Sequence, residues 1–207
     1  MSEARIIHVV DDDAAVRDSL RLLLESSGLT VRTYSGARLF LTEADDSSGC
    51  VLTDVRMPEM DGLELQRCLR ERGLHLPVIV MTGEGDVPIA VRAMKAGAVD
   101  FLEKPFTDED LLGAVHRALA ESARREAIEQ RAGVALHRLA ALTPREREVL
   151  DLLVSGLSTK AIANALGASP RTIEVHRARV FEKLQAHSLP ELVRLVMAAG
   201  AGDSPAS

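Results

Sequence analysis

The sequence has no tryptophan, one tyrosine and four phenylalanines, so aromatics make up only 2% of its 207 residues. That scarcity argues against stacking platforms for single-stranded nucleic acid. Two cysteines, Cys50 and Cys68, are too few for a disulfide framework and are expected as free thiols in a reducing cytosol. No apolar run approaches the roughly 20 residues that span a bilayer, so no membrane partner is expected. The opening Met1-Ser2-Glu3-Ala4-Arg5 has no basic patch followed by an apolar stretch. No signal peptide is therefore expected, and the expected location is cytoplasmic. The six histidines, at 8, 75, 116, 137, 176 and 187, show no metal-ligand spacing, and no zinc is expected. What is present is ordinary for a globular chain: 46% hydrophobic and 27% charged residues. This excludes a mostly disordered or collagen-like protein.

The net charge of −6 conceals a division. Residues 1–120 carry 21 acidic and 13 basic side chains, while residues 121–207 carry 10 and 12. Within 158–184, five basic residues stand against two acidic ones. Two domains with different partners are expected, spanning 1–120 and 142–207, with a helical linker at 121–141.

The first domain alternates short apolar runs, at 6–10, 29–34, 50–54, 78–82 and 99–103, with helical patterns. Those patterns follow Asp13, lie near 36–44, 62–72 and 87–96, and start again near Asp108. Strands alternating with helices predict crossover units and a doubly wound parallel sheet of five strands. The stretch 119–139 is rich in Ala, Arg and Glu and lacks proline, so it reads as an exposed helical linker that can continue the fifth helix, weakened at Gly133. Helices are then expected at 144–155, 158–166, 169–184 and 189–199, before a frayed tail at 200–207. Thr143-Pro144 and Ser169-Pro170 each offer a capping hydroxyl followed by a preset first dihedral.

The chemistry-bearing residues fall at strand ends. Asp11, Asp12 and Asp13 follow the first strand, Asp54 ends the third, Thr82 ends the fourth, and Lys104 follows the fifth. In an open parallel sheet those ends form one rim, where ligands bind. Carboxylates gathered there repel one another and invite Mg2+, which accepts oxygen ligands and keeps waters and a phosphate oxygen. A lysine adds positive charge, and a threonine hydroxyl can donate to a phosphoryl oxygen. The chemistry that suits this set is phosphoryl transfer to a carboxylate. Asp54 is the candidate acceptor, while Asp13 reads as the cap of the first helix.

The segments V-V-D-D-D at 9–13, L-T-D-V-R-M-P-E-M-D-G at 52–62, V-I-V-M-T-G at 78–83 and D-F-L-E-K-P-F at 100–106 resemble the receiver domain of bacterial two-component response regulators. The resemblance covers residues 5–120 and implies a flavodoxin-like fold. It implies phosphorylation of Asp54 by a sensor histidine kinase. It also implies Mg2+ held by Asp12, Asp54 and the backbone carbonyl of Arg56, with Asp11 acting through water. Thr82 and Lys104 would bind the phosphoryl group, and Lys104–Pro105 would be cis. Phe101 occupies the family's switch position: Thr82 drawn inward would leave room for its ring, reshaping a face that pairs two receivers. Taken alone, an aromatic on a strand is a core residue. Arg56 and Glu84 resemble positions that tune the lifetime of the acyl phosphate.

Residues 142–199 contain L-T-P-R-E-R-E-V-L, G-L-S-T-K-A-I-A-N-A-L-G and S-P-R-T-I-E-V-H-R-A-R-V-F-E-K-L. Ile162, Ala163 and Leu166 give one short helix an apolar face, Gly167 turns the chain, and Ile173, Val180 and Leu184 give the next its buried side. That is a helix-turn-helix, whose second helix can enter a major groove. The segment resembles the four-helix DNA-binding domain of the LuxR/NarL class. The resemblance implies that Glu174, Val175 and Ala178 face bases. Lys160, Thr172, His176, Arg177 and Arg179 would contact backbone or neighbouring bases, and Arg171 is exposed on the same helix. Receiver, linker and LuxR-type module together resemble the NarL/FixJ family, whose FixJ branch serves oxygen or redox control and nitrogen fixation.

The expected protein is a transcription regulator, not an enzyme, activated by phosphorylation. Its expected partners are a sensor histidine kinase, double-stranded promoter DNA and a second copy of itself, with RNA polymerase left open. Two alternatives are a phosphorylation-independent DNA-binding regulator and an aspartyl-phosphate phosphatase. Against the phosphatase, no second acid/base Asp lies two residues after Asp54; that position is Arg56. Against a dinucleotide site, Gly83 and Gly85 lack the third glycine and the first-turn location.

Overall fold

The computed structural model describes residues 5–43, 49–83 and 87–201. Its first five strands and helices alternate along the chain: β1 (Ile6–Val10), α1 (Ala14–Ser26), β2 (Thr30–Tyr34), α2 (Ala37–Glu43), β3 (Gly49–Asp54), α3 (Gly62–Glu71), β4 (Val78–Thr82), α4 (Val87–Lys95), β5 (Asp100–Glu103) and α5 (Asp108–Ala140). All strand pairings are parallel, in the order β2-β1-β3-β4-β5. Parallel neighbours need crossovers, and the intervening helices provide them. β3 and β4 are buried at every residue, as central strands covered on both faces must be, while β2 and β5 lie at the edges and expose part of their length.

Side chains alternate across the sheet and build two cores. Val10, Val51, Val78 and Val80 pack with Phe40, Leu65, Leu69 and Ala93 on one face. Ile7, Val9, Leu52, Ile79 and Met81 pack with Leu20, Leu24, Leu111 and Val115 on the other. Each fully buried Ile, Leu or Phe contributes about 1.5–3 kcal/mol. Both cysteines are free thiols, and burial pushes that of Cys50 up to about 12, which keeps it protonated.

β3 begins at Gly49, one residue before its apolar run. Gly49 has φ +147°, and a Cβ there would lie 1.9 Å from the Ile6 carbonyl oxygen. Hydrophobic patterning does not register this requirement for close backbone approach.

The expected fifth helix and the expected linker are one 33-residue helix, α5. Gly133 does not interrupt it, since its cost of about 1 kcal/mol is small beside the helix-forming residues around it. Ala114 and Ala118 join the second sheet core, whereas Ala135 and Leu139 join a third core in the helical unit.

The chain divides into two compact units, Met1–Arg124 and Arg125–Ser207. In the second, α6 (Pro144–Val154), α7 (Thr159–Ala165), α8 (Pro170–Leu184) and α9 (Leu189–Ala201) follow the end of α5. The hydroxyls of Thr143, Ser158 and Ser169 cap α6, α7 and α8, and proline occupies the start of α6 and α8. Val149, Leu150, Ile162, Ile173, Val180, Leu184 and Leu192 form the buried centre. α9 reaches Ala201, and the rest of the expected frayed tail, residues 202–207, lies outside the described residues.

Candidate functional site

β1 and β3 are adjacent, so Asp11 and Asp54 emerge side by side at the carboxyl edge of the sheet. The register of β4 and β5 pairs Thr82 with Glu103, and the amide of Lys104 donates to the Thr82 carbonyl at 2.8 Å. Lys104 thereby reaches the rim, where its ammonium donates to Asp54 Oδ1 at 2.5 Å and to Asp11 Oδ2 at 3.1 Å. The Lys104–Pro105 bond is cis.

The Asp11 side chain is 2% exposed, and that of Asp54 13%. Two carboxylates this deep need compensation, and Lys104 supplies it. Partial burial by itself pulls the ammonium down, but the hydrogen bonds and charges of Asp54 and Asp11 outweigh this and raise its pKa. The remaining oxygens are also engaged: the Arg56 amide donates to Asp54 Oδ2 at 2.6 Å and the Asp13 amide to Asp11 Oδ1 at 2.9 Å.

The backbone of the following loop comes equally close. A Cβ on Gly62 would lie 2.4 Å from the Asp54 carbonyl oxygen. Gly62 therefore allows the start of α3 to close over the acidic strand end. Arg17 holds the loop from the other side, donating to the Asp11 carbonyl at 2.7 Å. Neither residue was foreseen as part of the site. Gly62 lies within the 52–62 segment, which signals it; Arg17 sits about one helical turn beyond the acidic run and carries no signal.

The structure thus brings Asp11, Asp54 and Lys104 together, with Thr82 buried at the neighbouring strand end. Asp13 caps α1, its side chain accepting from the Ala15 amide at 2.8 Å. Asp12 is exposed. Among the described residues, no three His, Cys, Asp or Glu side chains are gathered as a metal cluster. The donors are nonetheless hard oxygens at a rim that needs positive charge, which fits Mg2+. Phe101 is not a core residue: it is 41% exposed on edge strand β5, beside Phe106, Glu109, Gly113 and Arg117. Arg117 also pairs with Asp100. Glu84 lies outside the described residues.

In the helical unit, α8 buries Ile173, Val180 and Leu184 and turns its other positions outward. Arg171, Thr172, Glu174, Val175, Ala178 and Arg179 are exposed, as is Lys160 on α7. His176 and Arg177 are half-buried.

Cations hold the helix ends that frame α8. Arg145 donates to the Leu166 carbonyl at the end of α7 at 2.6 Å, and Lys183 to the Ala141 carbonyl at 3.1 Å. Arg138 donates to the Leu184 carbonyl at 3.2 Å and to Gln185 Oε1 at 2.7 Å. Terminal carbonyls lack intrahelical donors and carry partial negative charge, which these cations satisfy. Glu146, 2% exposed, completes the frame: Lys183 donates to it at 2.6 Å and the Thr143 amide at 2.9 Å. The Lys183 ammonium, followed by that amide, holds the Glu146 carboxyl down at about 2. None of the five cation contacts is visible as a motif, because each joins different helices or their ends; the Thr143–Glu146 contact, by contrast, is a local capping box.

A parallel sheet in this order with an acidic rim is the architecture of a receiver, and a capped helix-turn-helix in the same chain is that of a DNA-binding regulator. Comparison with known families agrees. The response regulator receiver domain matches residues 7–116, and the luxR family of bacterial regulatory proteins matches residues 140–196. Transcriptional regulatory protein FixJ of Azorhizobium caulinodans is 53% identical over 201 residues, covering 97% of this chain and 95% of that one. FixJ of Rhizobium meliloti is 48% identical over 199 residues, covering 96% and 98%. Among solved structures, the response regulator StyR aligns with a TM-score of 0.83 at 41% identity, over 94% of this chain and 98% of that one. Full-length FixJ from B. japonicum aligns with a TM-score of 0.58 at 48% identity, over 97% and 99%. The chain belongs to the NarL/FixJ family of response regulators and is FixJ-like, a receiver joined to a LuxR-type DNA-binding domain. Among the described residues, no helix is long and apolar enough to cross a membrane.

Proposed function

We propose that the chain is a cytoplasmic transcription regulator switched by phosphorylation of Asp54. The observation that carries this reading is the Lys104 ammonium held between Asp11 and Asp54 at the sheet rim. A phosphohistidine of a sensor kinase would present its phosphorus to an Asp54 carboxylate oxygen. The new O–P bond forms as the P–N bond breaks, and the departing imidazole takes up a proton. Lys104 would turn from its carboxylates to the incoming phosphoryl oxygens, and the Thr82 hydroxyl would donate to another. Asp12, Asp54 and the Arg56 carbonyl would hold Mg2+, with Asp11 acting through water. When bound, Mg2+ neutralises charge on the carboxylates and the phosphoryl oxygens. No turnover of small phosphoesters follows, since the group stays on Asp54 until water removes it, at a rate that Arg56 and Glu84 tune.

Movement of Thr82 towards the phosphoryl group would favour an inward position for Phe101, whose exposed ring has room to move. The altered face made by α4, β5 and the first part of α5 would then pair with a second copy. Two helix-turn-helix modules so linked bind adjacent half-sites with the second at high effective concentration. Arg171, Arg179, Thr172, Arg177, His176 and Lys160 would grip phosphates or neighbouring bases. Glu174, Val175 and Ala178 would face bases, a carboxylate accepting from cytosine and the apolar pair meeting thymine methyls. RNA polymerase is a further proposed partner, and oxygen- or redox-linked and nitrogen-fixation genes are proposed targets by likeness to FixJ.

The test is treatment of the full chain with acetyl phosphate and Mg2+, reading mass and oligomeric state together. Wild type is expected to gain one phosphoryl group and dimerise, and Asp54→Asn to do neither. Equal phosphorylation of Asp54→Asn would overturn the assignment. Unchanged promoter activation by that variant would favour a phosphorylation-independent regulator.

A further inference from the structure

Thr159 lies in the first turn of α7, and its hydroxyl joins two charged side chains of α8. It donates to Glu174 Oε1 at 2.8 Å and accepts from Arg177 Nη1 at 2.7 Å. Glu174 and Arg177, three residues apart on the helix, approach each other to 3.7 Å. A carboxylate only accepts and a guanidinium only donates, but a hydroxyl does both at once. The three groups therefore close a triangle that fixes two long side chains on the face turned outward.

We propose that Thr159 is a positioning residue for DNA recognition, presetting Glu174 and Arg177 so that base preference is set from α7 as well as from α8. This inference rests on the reading of α8 as the recognition helix. The Glu174 side chain is 60% exposed and that of Arg177 35%. Untethered, both would sample several rotamers and lose that freedom on binding; the triangle removes much of this loss beforehand. It also directs charge. Arg177 is engaged by Glu174, which leaves exposed Arg171, Arg179 and Lys160 as the cations most available to phosphates. The triangle is not what packs α7 on α8, because Ile162, Ala163 and Ile173 are buried between those helices independently of it.

The test uses the full-length protein after treatment with acetyl phosphate and Mg2+, incubated with a pool of duplexes randomised over two helical turns. Wild type, Thr159→Ser and Thr159→Val are compared, valine keeping the shape and removing the hydroxyl. Thr159→Val is expected to weaken discrimination at one base position by about five- to tenfold, the scale of one good base contact. Its affinity for non-specific duplex, its salt slope and its melting temperature should match wild type, since phosphate contacts and packing are untouched. Thr159→Ser should restore the wild-type preference. In a Glu174→Ala background, Thr159→Val should add nothing, because the positioned group is gone. Selection of the same bases by Thr159→Val as by wild type would overturn the proposal. So would a uniform loss of affinity for all sequences, which marks a merely structural role. Failure of the wild type to bind any duplex would instead remove the recognition-helix reading on which the inference stands.

Discussion

Lys104 meets Asp54 across 50 residues of chain and Asp11 across 93, whereas Glu174 and Arg177 meet three residues apart on α8. The rim pocket is built by tertiary convergence: three strand ends deliver three charges to one partly buried place. The outward face of α8 is built by helical periodicity, and its caps are local. The pocket should therefore depend on backbone proximity that no side chain reports, and the helical unit on small, separable contributions. The two cationic settings differ as well. Lys104 neutralises two buried carboxylates at a sheet rim, whereas Arg138, Arg145 and Lys183 satisfy helix ends and are used up in doing so.

This contrast can be broken by substitution. Gly49→Ala should have the largest effect, about 4 kcal/mol or more, because a Cβ would overlap the Ile6 carbonyl. Gly62→Ala should follow, at about 2–3 kcal/mol, with loss of acetyl-phosphate labelling as the Asp54 backbone is displaced. Urea unfolding of the receiver transition, with mass spectrometry for labelling, checks both. Thr143→Ala, which removes a helix cap with no long-range partner, should cost the helical unit only about 1 kcal/mol. If it cost as much as Gly62→Ala, the proposed difference between the units would fail. Asp151→Asn removes an exposed pair with Arg147 at 3.8 Å and should shift stability by less than about 0.5 kcal/mol.

Acid sharpens the comparison. Glu146 is held at about 2 in the folded unit, against an ordinary 4.5. Its folded value is depressed, so its contribution is fully present above about pH 4.5 and disappears as the pH falls towards 2. Glu146→Gln should therefore be less stable at neutral pH and nearly independent of pH in that window. Wild-type helical stability should decline through it. Parallel acid titrations followed by circular dichroism distinguish the two, and identical profiles would show that the Lys183 contact is energetically silent.

Much of this organisation was legible in the residues. Apolar runs separated by helical patterns indicated five parallel strands, because buried central strands such as β3 and β4 tolerate little polarity. Asp11, Asp54, Thr82 and Lys104 were marked by lying at strand ends. Ser and Thr before Pro marked the starts of α6 and α8. The helical character of 119–139 and its continuation of the fifth helix were legible too: Gly133 weakens the local signal, and α5 continues through it. Phe101 was ambiguous, since strand pattern cannot distinguish an edge from a centre; only the position of β5 in the sheet exposes it.

The amino-acid order alone determined the periodicities, the caps and the acidic and basic character of the two parts, because these arise between near neighbours in the chain. Tertiary structure decided which charges touch: Lys104 between two carboxylates, Arg17 on the Asp11 carbonyl, Lys183 on Glu146 and Thr159 between Glu174 and Arg177. Such contacts depend on strand order, helix packing and ångström-scale approach, and no local pattern encodes those distances.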